Sequence, residues 1–211
     1  MDNSIKKLEA SDLEEKKEFT FNMFDQLEDI SALAQIKIIE KLEFNFCNAL
    51  EDISPLSELI NLKTLGFTAC MSLKDISSLS SLQQLEKLTL CSCDKVVDFT
   101  PLSRLLNLKT LELSGHFWIS DNGSFRTDIS GLSSLTNITE LSLSQCGVLQ
   151  DVSPLAKLKN LKVLNLSHCF RLQAISPLKD MTQLEKLDIC NCDSLQDLSP
   201  LDSLKNTQII K

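Results

Sequence analysis

Basic side chains are in short supply in this 211-residue chain. Twenty-one Lys and Arg stand against 29 Asp and Glu, a formal charge of −8. Nucleic acid and anionic membrane both require a basic footprint, so neither is expected as a partner. Long apolar runs are also missing. No stretch approaches the ~18 residues of a membrane span. The first residues, MDNSIKKLEASDLEEKKE, are highly charged and lack the apolar segment of a signal peptide. Tyrosine is absent, tryptophan occurs once, and glycine and proline occur five times each. No glycine-rich phosphate loop follows a strand anywhere. Eight cysteines without an export signal read as reduced thiols, and the expected location is cytoplasmic.

What is present is a repeat. Asp-Ile-Ser stands at Asp29, Asp52, Asp75 and Asp128, with close variants beginning at Asp98, Asp151, Ala174 and Asp197. The steps are 23 residues throughout, except for one of 30 between Asp98 and Asp128. Each of the eight units has one internal grammar. Leu88 and Leu90 alternate with Thr89 and Cys91, as in a strand with one buried face. Leu102 and Leu105 are spaced as on a helical face. Ser or Thr before that stretch reads as an N-cap, and the proline that often follows suits a first turn, as in Ser54-Pro55 and Thr100-Pro101. A single unit cannot bury its leucines, whereas stacked units share a continuous core. The predicted fold is an α/β solenoid. A parallel sheet lines its concave face, and short helices or 3-10 segments form its convex face.

The pattern L-x-x-L-x-L-x-x-C with a later D-I-S-P-L resembles the leucine-rich repeat family over residues 19–210. Its D-x-S-P-L-x-x-L half is similar to the short repeats of a phosphatase-regulatory subunit and of bacterial internalins. Its cysteine resembles the cysteine-containing repeats of ubiquitin-ligase F-box proteins, and the 23-residue hybrid is similar to protozoan-parasite repeat proteins. The resemblance implies a horseshoe and leaves function open, because one fold hosts many functions.

Residues 1–18 read as a helical cap over the first unit. Residues 19–211 read as eight repeats plus the start of a ninth strand at Gln208. That last strand reads as further chain, as an edge-to-edge homodimer through it, or as a frayed last turn. Cys47, Cys70, Cys93, Cys146, Cys169 and Cys192 share one repeat position, and His116 takes that slot in the long unit. The six thiols read as a buried structural ladder. Cys91/Cys93 and Cys190/Cys192 are weak metal candidates, since one side chain of each pair should point out and the other in. His168 beside Cys169 makes a catalytic pair only on paper, because neighbours on such a segment diverge. The recurring aspartate is expected to accept backbone N–H groups or to favour the helix start. Asn122, Asn137 and Asn165 begin glycosylation sequons that carry no weight without export. No catalytic constellation, cofactor or metal is expected.

The reading that remains is a non-catalytic protein-interaction scaffold whose unknown protein partner carries a basic or mixed patch. A ubiquitin-ligase adaptor and a phosphatase-regulatory subunit are the alternatives. Outward strand positions form columns. One runs Thr20, Glu43, Gly66, Thr89, Glu112, Ser142, Asn165, Asp188, and another runs Asn22, Asn45, Thr68, Cys91, Ser114, Ser144, Ser167, Cys190. These columns lack the aromatic and arginine anchors typical of binding sites. The candidate partner-binding residues are therefore Glu43, Phe46, Glu112 and His168, together with His116, Phe117, Trp118, Phe125 and Arg126. The last five fall in or beside the seven-residue insertion within 116–127. Two roles stay open for that insertion, anchoring a partner at the rim or folding back to plug a distorted rung. A Trp118→Ala variant separates them. Lost partner capture with unchanged melting supports binding, whereas a stability loss of ~3–5 kcal/mol supports the plug.

Overall fold

A computed structural model describes residues 6–9, 13, 16–115 and 128–211. Nine strands form one parallel sheet in chain order: β1 (Glu18–Asn22), β2 (Lys41–Asn45), β3 (Thr64–Thr68), β4 (Lys87–Cys91), β5 (Thr110–Glu112), β6 (Glu140–Ser142), β7 (Val163–Asn165), β8 (Lys186–Asp188) and β9 (Gln208–Ile210). The register follows the repeat. Glu43 pairs with Gly66, Thr89 with Glu112, and Glu112 with Ser142 across the long step. Parallel neighbours need a crossover between them. Here each crossover passes over the convex side through one short 3-10 turn, such as Ser54–Glu58 or Ser153–Lys157. Among the described residues no longer helix occurs, so of the two convex options the 3-10 segment is the one the chain adopts.

Alternation explains the burial. Leu88 and Leu90 are fully enclosed, as are Leu85, Val96, Leu102 and Leu105 of the same unit. Each buried leucine is worth ~1.5–3 kcal/mol of transfer free energy, and its contacts come largely from the rungs above and below. At the amino-terminal end phenylalanine replaces leucine. Phe21, Phe44 and Phe67 stack with ring centroids 5.1 and 5.3 Å apart. Identical residues in register put like side chains one rung apart, a spacing suited to offset stacking.

The turn chemistry differs from the expected cap. The residue at the N-cap of the 3-10 turn is the isoleucine of Asp-Ile-Ser, and the serine is already the first turn residue. The aspartate does the work two residues earlier. Asp52 Oδ1 accepts the Ser54 N–H at 2.8 Å, and Asp29, Asp75, Asp98, Asp128, Asp151 and Asp197 do the same for their own units. This is an Asx turn, in which a short carboxylate mimics a backbone carbonyl. The unit with Ala174 in that place has the shortest turn, Ser176–Leu178.

The amino-terminal segment also departs from expectation. The helical reading of residues 1–18 does not hold at the described residues 6–9. Lys7 forms a parallel bridge to Asp29, and the Leu8 N–H donates to the Asp29 carbonyl at 2.9 Å. Leu8 is fully buried and Leu13 nearly so, so the segment still covers the first rung. Glu18 belongs to β1 rather than to the cap.

Two further ladders tie rung to rung. Asn61, Asn107, Asn137 and Asn160 donate their side-chain amides to backbone carbonyls of the preceding unit at 2.7–3.0 Å. Just before the strands, charge alternates by rung as Lys17, Glu40, Lys63, Glu86 and Lys109. Glu40 is shared by Lys17 and Lys63, and Glu86 pairs with Lys109 at 3.0 Å. These pairs are exposed, and each adds little on its own.

Acid should expose these contacts. Hydrogen bonds from Ser31, Ser77 and Ser130 hold Asp29, Asp75 and Asp128 below the usual carboxylate range, and Ser199 does so for Asp197. Lys17 and Lys63 bring Glu40 down to about 2. A depressed folded pKa gives stability that is present above the unfolded value of ~4 and is lost as pH falls through the folded one. Melting temperature should therefore be flat from about pH 7 to 5 and decline below about 4. Ala174→Asp should add roughly 0.5–1 kcal/mol at neutral pH, a gain that disappears in acid. Denaturant melts of both proteins across pH check this, and an equal gain at pH 2 would contradict the Asx-turn account.

Candidate functional site: the concave face and its strand-exit rim

The concave face carries the outward strand columns in the predicted order. Its middle is floored by small groups. Ser114, Ser142 and Ser144 form a hydroxyl triangle with Oγ–Oγ distances of 2.8, 3.0 and 3.4 Å. Glu43 and Glu112 both face this hollow from the same column, three rungs apart, or about 14 Å at the strand spacing. Lys41 lies 3.2 Å from Glu43.

At the end of each strand the chain must leave the sheet and bury its next side chain. It does so through one left-handed residue per rung: Met23, Phe46, Ala69, Ser92, Gly115, Gln145, His168 and Asn191. The N–H of each residue from Met23 to His168 still donates to the strand-end carbonyl of the following rung, for example Phe46 to Thr68 at 2.8 Å. The ladder residue that follows then turns inward. Cys47, Cys70, Cys93, Cys146, Cys169 and Cys192 are buried. Each Sγ lies 3.1–3.7 Å from a backbone carbonyl of the preceding rung. One residue thus reaches forward and the next reaches back. Gly115 fits this column most easily. Its φ is +78°, and a Cβ there would stand 2.7 Å from Ser92 Oγ.

The left-handed column forms a rim along the strand-exit side. A bulky L-residue in that conformation costs ~1–2 kcal/mol, which glycine or asparagine largely avoids. The chain nevertheless places Met23 and Phe46 there, 60% and 47% exposed. His168 lies five rungs from Phe46. Its ring meets Phe170 edge-on at 6.1 Å, and the Asn191 amide lies 3.4 Å from the ring nitrogens. Phe170 and Met71, one residue past the ladder cysteines, are also exposed.

The chemistry of the thiols is muted. Burial, with help from Glu112, pushes Cys91 up to about 12, and burial beside Cys192 pushes Cys169 to about 12. Both are protonated at neutral pH. Cys169 points to the Leu143 carbonyl while His168 faces Phe170, so the two form no nucleophile–base pair. Cys91 and Cys190 are half-buried on the concave side, and their partners Cys93 and Cys192 are inside. Among the described residues no group of three or more His, Cys, Asp or Glu could hold a metal ion.

With this geometry in view, residues 14–116 match the family described as the BspA-type leucine-rich repeat region (6 copies), and residues 159–206 match leucine-rich repeats (2 copies). The chain belongs to the leucine-rich repeat family. Among solved structures, this leucine-rich repeat protein is similar to internalin C2 of Listeria monocytogenes. The two are 27% identical over 90% of this chain and 75% of that one, with a TM-score of 0.66. It is also similar to the leucine-rich repeat domain of the type III effector XCV3220 (XopL), at 23% identity, 97% and 72% coverage and a TM-score of 0.81. A second Listeria monocytogenes internalin, InlF, aligns at 21% identity, 90% and 75% coverage and a TM-score of 0.55. The last two likenesses are of fold. No curated protein matches the chain.

Of the sequence-derived candidates, Phe46 and His168 share the rim, and Glu43 and Glu112 share the hollow. His116, Phe117, Trp118, Phe125 and Arg126 lie outside the described residues. The sequence reading missed Met71 and Phe170, whose signal was available as apolar residues directly after a ladder cysteine. It also missed that the rim column is left-handed. Met23→Gly and Phe46→Gly should leave stability unchanged or raise it by up to about 1 kcal/mol, because strain is relieved and little packing is lost. A chemical-denaturation loss above about 2 kcal/mol in either variant would place that side chain in the core instead.

Proposed function

We propose that this protein is a non-catalytic interaction scaffold that receives a protein partner in its concave hollow, with the insertion at 116–127 contributing at the rim. The observation that carries this reading is the preformed sheet. Nine in-register strands hold about 40 Å of outward side chains in place before any partner arrives. Docking there avoids the entropy of ordering the surface. The acidic balance favours a partner with a basic or mixed patch. Eight free thiols, six of them buried, support a reducing compartment such as the cytoplasm. Among the described residues no helix is long and apolar enough to cross a membrane.

Photo-cross-linking tests the reading. A benzophenone side chain replaces Thr89 at the centre of the hollow or the exposed Val97, outside the strand columns and just before the 3-10 turn Thr100–Arg104, and each protein is exposed to the native cell extract. One defined adduct should form from position 89 and be absent from 97, and it should weaken when residues 117–123 are deleted. Adducts from 97 alone, or from neither position, would defeat the scaffold reading.

A further inference from the structure

Charge is divided unevenly across the hollow. On the strand-entry side, lysines alternate with acids along the Lys17–Glu40–Lys63–Glu86–Lys109 row. The strand-exit side behaves differently. It comprises the middle and last outward columns, the left-handed column and the positions just after the ladder cysteines. Among the described residues of these four columns there is no Lys or Arg, and there are six carboxylates: Asp25, Glu43, Asp94, Glu112, Asp188 and Asp193. Glu43 is partly neutralised by Lys41 from the neighbouring column, and Lys95 and Arg171 stand one residue beyond the strip.

Two apolar poles stand on this acidic strip. Met23, Phe46 and Met71 form one, on the first three rungs, and His168 with Phe170 forms the other. Phe46 and His168 are five rungs apart, about 24 Å at the strand spacing. Among the described residues, the left-handed column between them holds Ala69, Ser92, Gly115 and Gln145. Met23 and Phe46 carry two costs, since each leaves much of an apolar side chain in water on a strained backbone. Strain combined with exposure at the same residues marks a surface kept for something outside the chain.

We propose that the strand-exit rim is the docking edge for a lysine- or arginine-bearing segment of the partner whose apolar residues seat on the two poles. This deepens the scaffold reading and rests on it. The carboxylates steer and orient the cationic segment, and the poles supply the anchors that the hollow itself lacks. A helix of about 16 residues spans the distance between them. An anionic membrane surface would be repelled by the same strip.

The test uses the full chain and two synthetic amphipathic helices of about 18 residues, one of leucine and lysine and one of leucine and glutamate, with binding read by fluorescence anisotropy. The leucine–lysine helix should bind and weaken as salt is raised, while the leucine–glutamate helix should not bind. Phe46→Gly should weaken binding roughly 30-fold without lowering the melting temperature. Val97→Ser, which removes an exposed apolar group outside these four columns, should leave binding unchanged. Equal affinity for Phe46→Gly and wild type, equal binding of both helices, or no binding of the lysine helix would each overturn the proposal. If the lysine helix fails while the position-89 adduct forms, the rim proposal falls and the scaffold reading stands.

Discussion

Strict parallel register between neighbouring rungs is the constraint on which the rest of this molecule depends. A rung contributes one short strand, one inward-facing row of leucines and one 3-10 turn, too little to hold itself together. Hydrogen bonds from each strand to the next fix the spacing at about 4.8 Å. At that spacing the Phe21–Phe44–Phe67 stack, the thiol ladder and the amide ladder all become possible at once. Each needs the same residue type at the same height in successive rungs, and loses its partner if one rung slips.

Register also decides what the surface looks like. Because every repeat position becomes a column, the chain can write chemistry in stripes. The strand-entry row alternates in sign, and the hollow is floored with small hydroxyls. The described strand-exit columns carry six carboxylates and no Lys or Arg. The left-handed column is a backbone necessity, since the chain must leave the sheet and bury a thiol within two residues. What it carries is not a necessity: Gly115 and Asn191 meet the conformational demand cheaply, whereas Met23, Phe46 and His168 do not. The departures from the cheapest solution are what the proposed docking edge rests on.

The columns and pairings could be read before any coordinates, because a 23-residue period maps residue onto residue, Glu43 onto Gly66 and Lys87 onto Thr110. The inward thiols were legible for the same reason, as apolar-like residues at a fixed offset from the strand. The turn was legible only in part. Asp-Ile-Ser marks the 3-10 start, but serine looks like a cap until geometry shows the aspartate accepting the serine N–H. The positive φ of Met23 and Phe46 was invisible, since neither residue type announces a left-handed conformation. The amino-terminal segment misled, because sparse apolar points such as Leu8 and Leu13 suit a helix as well as the bridged backbone at residues 6–9. Of the candidate site, the hollow and the rim residues Phe46 and His168 were found by position, whereas Phe170 and Met71 were passed over although each directly follows a ladder cysteine.

Native-state hydrogen exchange tests the central claim most directly. If rungs stabilise one another in register, the strand amides of β3 and β4 exchange slowest, through near-global opening. Protection then falls toward β9, which has a neighbour on one side only among the described residues. Strand amides exchanging as fast as those of the exposed turns, or β9 protected as strongly as β4, would contradict it.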